Sequence, residues 1–171
     1  MTRGSSTLQR GASGALFLIA VAIAATFIWM TGRSLPARVA SHFGTSGFAN
    51  GFLSHKIYVI ATLCACILLP VLVVIPINLA LQNPNAPLNI PNRDYWLAPE
   101  RRAASVEFVQ AQMTRFGVAL LLFIGYAHWL VVQANERSPP RLASVSFVSA
   151  LAVFLGFVIV WIAIFLNRFR T

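Results

Sequence analysis

Residues 144–166 read SVSFVSALAVFLGFVIVWIAIFL, with no charged side chain, and Asn167, Arg168 and Arg170 close the run. A helix needs about 20 apolar residues to cross the hydrocarbon core of a bilayer, so this stretch alone places the chain among membrane proteins. Three earlier stretches have the same character. Together they predict transmembrane helices over about 12–32, 57–81, 116–133 and 144–167. The expected fold class is an all-α integral membrane protein: one membrane domain covering 1–171, with four transmembrane helices. An irregular outer loop fills 33–56, and a cytoplasmic connection over 82–115 carries an interfacial helix.

Composition supports this reading and removes others. Of the 171 residues 58% are hydrophobic and only 10% charged, with 13 Lys+Arg against 4 Asp+Glu. A soluble domain carries about 25% charged residues, and a disordered chain has few apolar ones. The basic residues stand singly or in pairs between apolar runs, which gives no stripe for a phosphate backbone, so nucleic acid is not an expected partner. Membrane lipid is, because basic residues gather beside the cytoplasmic ends of transmembrane helices.

Arg3 and Arg10 precede the first span as they would a signal peptide. The span is nearly twice the usual signal core, and it leaves through the bulky Phe27-Ile28-Trp29-Met30, so an uncleaved anchor is expected. Eight basic residues fall on the side of the N-terminus, second connection and C-terminus (Arg3, Arg10, Arg93, Arg101, Arg102, Arg115, Arg168, Arg170). Five fall on the other (Arg33, Arg38, Lys56, Arg137, Arg141). The positive-inside rule then puts both termini in the cytoplasm, in a bacterial cytoplasmic (inner) membrane.

Within the spans no Asp, Glu, Lys or Arg lies deep, which removes the usual mark of an ion path or proton relay. Pro70 and Pro76 predict a kink or local unwinding in the second span. Ala20 and Ala24, Ser146 and Ala150, and Ala152 and Gly156 have the four-residue spacing that lets helices approach closely. Cys64 and Cys66 point to nearly opposite helix faces and read as small packing residues.

The first connection is different. From Gly32 to Lys56 it reads GRSLPARVASHFGTSGFANGFLSHK, far longer than the roughly 2–8 residues that simply join two helices. It therefore reads as a small folded element with a purpose of its own. Leu35, Pro36, His42, Phe43, Gly47, Gly51 and Lys56 resemble the signature of a bacterial membrane-domain family of unknown function, whose best-known members are the Sdp immunity proteins (SdpI-like). That pattern runs roughly Leu-Pro, Ile/Val-Pro, His-Phe, Gly, Asp-Gly and a closing Lys. The chain departs from it at Ala40, where the family has proline, and at Asn50, where it has aspartate. The missing proline is expected to loosen the approach to His42, and the missing carboxylate removes a partner for a cation or a histidine.

A second segment, Asn89 to Arg102 (NIPNRDYWLAPERR), resembles the cytoplasmic connection of proteins carrying this domain. Pro99 suits the first turn of a helix, and Glu100 suits its positive end. The helix that follows would carry Val106, Val109, Met113 and Phe116 on one side, with Arg102, Ser105 and Gln112 elsewhere, as an interfacial helix does. Tyr95 and Trp96 would anchor it at headgroup level, and Arg101 and Arg102 would face lipid or a cytoplasmic protein.

His42, His55 and His128 all map to the outer face. They would be the ligands of any metal, but their spacing matches no local metal motif, and no metal or other cofactor is expected. His128, beside Trp129, reads as an interfacial residue. Ser41-His42 lacks an orienting acid, Glu136 being the one acid on that face, so no catalytic residue and no enzyme activity are expected.

The resemblance implies a small membrane protein similar to immunity proteins that guard the producing cell against a secreted membrane-active peptide and signal by holding a repressor at the membrane. The outer loop would sense or block the peptide, and Tyr95 to Arg102 would meet the cytoplasmic partner. The other reading is a non-catalytic accessory or structural subunit whose helices pack against other membrane protein subunits. Immunity members are commonly longer, with further helices; a chain of four raises the second reading without deciding between the two.

Overall fold

The computed structural model of the chain describes residues 3–83 and 90–170, with side chains from Gly14 onward except at Gln82. Residues 84–89 of the predicted connection, Asn89 included, and the side chains of Arg3 and Arg10 lie outside that set. The elements are α1 (Arg3–Gly32), β1 (Arg38–Phe43), β2 (Ala49–Ser54), α2 (His55–Gln82), α3 (Arg93–Trp96), α4 (Pro99–Asn135) and α5 (Ser144–Arg168). Four of them, α1, α2, α4 and α5, are long and apolar enough to cross a membrane.

The centre of the bundle follows from helical spacing. Phe17, Val21 and Ile28 share one stripe of α1 and meet Cys66 and Val74 of α2 and Leu121 of α4, with Ala20 and Ala24 packed beside them. Gly117 marks the closest approach: a Cβ there would lie 2.7 Å from Val74 Cγ2 and 2.8 Å from Phe17 Cε2. The outer surface is apolar as well, with Leu122 70% and Val145 82% exposed. In water that distribution would be an aggregation hazard; in lipid it is the ordinary one.

α2 continues as helix through Pro70 and Pro76, so the expected local unwinding is absent. Pro70 is fully buried. Neighbouring helices can compensate the backbone group that a proline frees in such a bundle.

α5 contains no buried residue, and among the described residues α4 is the one helix or strand its backbone packs on. Aromatic rings make the joint: Phe123 stacks on Phe154 at 4.8 Å, Phe116 lies 5.2 Å from Trp161, and Trp161 Nε1 donates to Gln112 O at 3.0 Å. Gly156 meets nothing within 4 Å, so the close approach expected at Ala152 and Gly156 is not made among the described residues.

Two expectations need correction. The third span, expected over 116–133 with an interfacial helix leading into it from the 82–115 connection, is the second half of one unbroken helix, Pro99–Asn135. After Pro99 no proline interrupts it. Ser105 and Gln112, expected away from the apolar side, are 1% and 2% exposed. This part of α4 is covered from several directions by α3, α5 and the end of α2. Ser105 Oγ keeps its hydrogen bond there by donating to Trp96 O at 2.9 Å.

The second correction concerns the loop over 33–56, which is not irregular. β1 and β2 pair antiparallel, with Val39 opposite Leu53, Ala40 opposite Phe52 and His42 opposite Gly51, and the register shifts on both sides of His42. Alternation explains the strand pair: Leu53 and Val39 turn toward Leu35, Tyr58, Val59 and Val132, while Phe52 turns outward. Gly44 N donates to Phe48 O and Gly47 N to Gly44 O, closing a turn in which Gly47 takes a φ of 82°, a conformation that suits glycine.

Candidate functional site

The hairpin is held by the rest of the chain in three places. Leu35 and Val39 sit in an apolar cluster with Tyr58, Val59 and Val132. At its edge, Asn135 Oδ1 accepts from Ala40 N at 2.8 Å, and Asn135 Nδ2 donates to Ala40 O at 3.0 Å and to Val131 O at 2.9 Å. The carboxamide thus pairs with β1 as a neighbouring strand would. At the tip, Ala49 N donates to Pro140 O and Leu142 N to Gly47 O, so residues 140–142 form a short third rung beside β2. A Cβ on Gly47 would meet Leu142 O at 2.8 Å, which requires glycine there a second time.

Leu35, Gly47 and Gly51 of the signature therefore build the hairpin. Leu35 is core, Gly47 is the turn, and Gly51 leaves room for the imidazole of His42, whose Cβ would lie 2.9 Å from a Cβ at Gly51. Phe43 is half-buried. Pro36, His42, Asn50 and Lys56 are exposed. At Ala40 the expected loosening does not follow: its N–H, which a proline would lack, is the group that Asn135 holds. Asn135 and the 140–142 rung were not found from sequence. The available signal was an amide residue at the last position of an apolar helix.

His42, Phe48 and Phe52 are the exposed His and Phe side chains of the hairpin, and two arginines lie over the phenyl rings. Arg141 lies over the Phe48 ring at 4.9 Å and Arg38 over the Phe52 ring at 5.5 Å. Ser41 Oγ is 3.0 Å from His42 Nδ1. Among the described residues no group of three or more His, Cys, Asp or Glu could hold a metal ion.

The three histidines occupy three separate settings. His42 is exposed on β1, and His55 Nε2 lies 2.9 Å from Gly32 O, tying the start of α2 to the end of α1. His128 is the correction: expected at an interface, it is 2% exposed among α1, α2 and α4. Thr31 Oγ1 lies 2.9 Å from its Nε2, and Tyr58 OH 3.0 Å from its Nδ1. The single Thr31 hydroxyl hydrogen goes to Phe27 O at 2.7 Å, so His128 Nε2–H is the donor to Thr31. Nδ1 of the neutral ring then accepts from Tyr58, and one side chain joins three helices with both nitrogens satisfied.

At the opposite end α4 begins at Pro99 with Glu100 in its first turn, as expected. Trp96, expected at headgroup level, is half-buried and donates through Nε1 to Phe169 O at 3.1 Å, while Asn92 Nδ2 reaches the same oxygen at 2.9 Å. Arg168 lies over the Trp96 ring at 4.2 Å. Arg102 donates to Asn83 O at 2.8 Å, and Arg101 lies over the exposed Tyr95 at 4.0 Å. Trp96 and Arg102 are therefore used internally, whereas Tyr95, Glu100 and Arg101 are exposed. The chain matches no family model, no curated protein and no solved structure.

Proposed function

We propose that this chain is a small multi-pass protein of the bacterial cytoplasmic membrane, with both termini in the cytoplasm, whose outer hairpin senses or blocks a peptide ligand. In this it resembles the peptide-toxin immunity and signalling proteins whose signature it carries. One observation supports the reading above others: the hairpin is fixed to the bundle through Asn135 and an apolar cluster, and it leaves His42, Phe48 and Phe52 exposed. Tyr95, Glu100 and Arg101, on the opposite face, are the contacts for a cytoplasmic partner. Expression in a bacterium sensitive to a membrane-active peptide should raise its resistance. His42→Ala should remove that protection while the Ala40 amide keeps its slow hydrogen exchange. Unchanged sensitivity with the protein present in the membrane would refute the proposal.

A second reading, an accessory subunit of a larger membrane complex, draws on α5, which buries none of its residues and whose backbone, among the described residues, packs on α4 as its one neighbouring element. It predicts co-purification with other membrane proteins in mild detergent. Recovery of a lone monomer from the native membrane would exclude it. Orientation has its own test: with Cys64 and Cys66 replaced by alanine, Ser46→Cys should react with an impermeant thiol reagent in intact cells.

A further inference from the structure

The two edges of the hairpin are not equivalent. Successive residues of a strand send their N–H and C=O groups alternately to the two sides. On β1 both backbone groups of Ala40 go to Asn135, away from β2. Its partner Phe52 therefore sends N–H and C=O away from β1. The same alternation, anchored by His55 N donating to Ala37 O, turns the Ser54 N–H outward. Toward the tip this outer edge of β2 is occupied by residues 140–142 of the chain itself. Toward the base, at Phe52 and Ser54, no described residue pairs with it.

From this geometry we infer that the base of β2 is a docking edge for an extended, acidic peptide segment, which adds as a strand beside Phe52 and Ser54 and continues the rung begun by residues 140–142. An extended backbone is what matches the edge, because its donors and acceptors recur at the same spacing. The 140–142 rung shows that this edge accepts an antiparallel neighbour. Charge selects the side chains. Arg33, Arg38, Lys56, Arg137 and Arg141 belong to this end of the molecule, against Glu136 alone. Arg38 stands over Phe52 itself and can meet a carboxylate alternating on the same face as that ring. The inference rests on the recognition role proposed for the hairpin and names the class of ligand.

The test uses the full chain in nanodiscs of zwitterionic lipid and, as probe, a short synthetic peptide of alternating valine and glutamate. Amide hydrogen exchange at Phe52 and Ser54 should slow on adding the peptide. Methylating the peptide's backbone nitrogens should abolish the effect, and a valine–lysine peptide should not produce it. Phe52→Pro removes the outward N–H without touching the β1 ladder and should weaken binding about tenfold, the equivalent of one hydrogen bond, well beyond the effect of Phe52→Ala. Equal binding of the methylated peptide would overturn the inference. So would protection that appears without peptide as protein concentration rises, which identifies a second copy, or on adding anionic lipid, which identifies a membrane surface. Resistance that survives Phe52→Pro in cells overturns the edge and leaves the recognition role standing. Peptide binding at the edge without any resistance does the reverse.

Discussion

The carboxamide of Asn135 and the backbone of Ala40 face each other as two strands of a sheet would, with Oδ1 accepting from Ala40 N at 2.8 Å and Nδ2 donating to Ala40 O at 3.0 Å. One side chain at the last residue of α4 thus finishes the edge of a hairpin far away in sequence. Asn135→Ala should cost about 1–3 kcal/mol and speed hydrogen exchange at Ala40. Asn135→Asp keeps the acceptor and loses the donor, so it should fall between the two. Ala40→Pro should free the hairpin as Asn135→Ala does. If exchange near Ala40 is unchanged in all three, the carboxamide does not hold the hairpin.

His128 offers a test of the bundle interior. His128→Ala leaves Tyr58 OH and Thr31 Oγ1 without the partner each has now, and it should destabilise the protein by about 2–4 kcal/mol. Nitrogen-15 NMR of the ring should find the hydrogen on Nε2. A hydrogen on Nδ1 would contradict the direction assigned to both bonds.

Three glycines of similar helical setting should behave differently. Gly117→Ala drives a methyl group against Val74 and Phe17 and should cost about 1–3 kcal/mol in thermal stability. Gly125→Ala and Gly156→Ala meet nothing within 4 Å and should be neutral or stabilising by about 0.5–1 kcal/mol. Equal effects at all three would mean that Gly117 is not a point of close approach.

Gly51 and His42 should couple. Gly51→Ala pushes into the imidazole, so alone it should destabilise the hairpin, and combined with His42→Gly much of that loss should return. The readout is a double-mutant cycle on hydrogen exchange across β1 and β2. Strict additivity would show that the two side chains do not share the space.

Trp161 should control α5. Trp161→Phe keeps the ring contact but removes the donor to Gln112 O, so α5 should detach more readily from α4. Limited proteolysis in the 136–143 connection, with Trp161→Ala for comparison, measures this.

The four apolar helices were legible because a spanning helix must satisfy its backbone internally and meet lipid with apolar side chains, which leaves long uncharged runs in the sequence. The start of α4 at Pro99 was legible for a local reason too, proline being suited to a first helical turn. The burial of Ser105, Gln112 and His128 was not. Each is a polar residue in a helix whose burial depends on what distant segments lay across it, and periodicity records only the face. The hairpin was half legible. Its length and glycines announced a folded element, but the two register shifts around His42 broke the simple alternation that marks strands. Asn135 was invisible because its partner is a backbone amide, which no side-chain pattern reveals.

α4 carries a mechanical consequence. From Ser105, bonded to the 93–96 segment through Trp96 O, to Asn135, bonded to the hairpin, a single helix runs without proline over about 45 Å at 1.5 Å per residue. That exceeds the roughly 30 Å of a hydrocarbon core. The same rod is gripped at both ends, so a load on the hairpin that turns or slides α4 is delivered to the far face with no hinge in between to absorb it. The hairpin and the Tyr95–Arg102 surface are in this sense two handles of one lever.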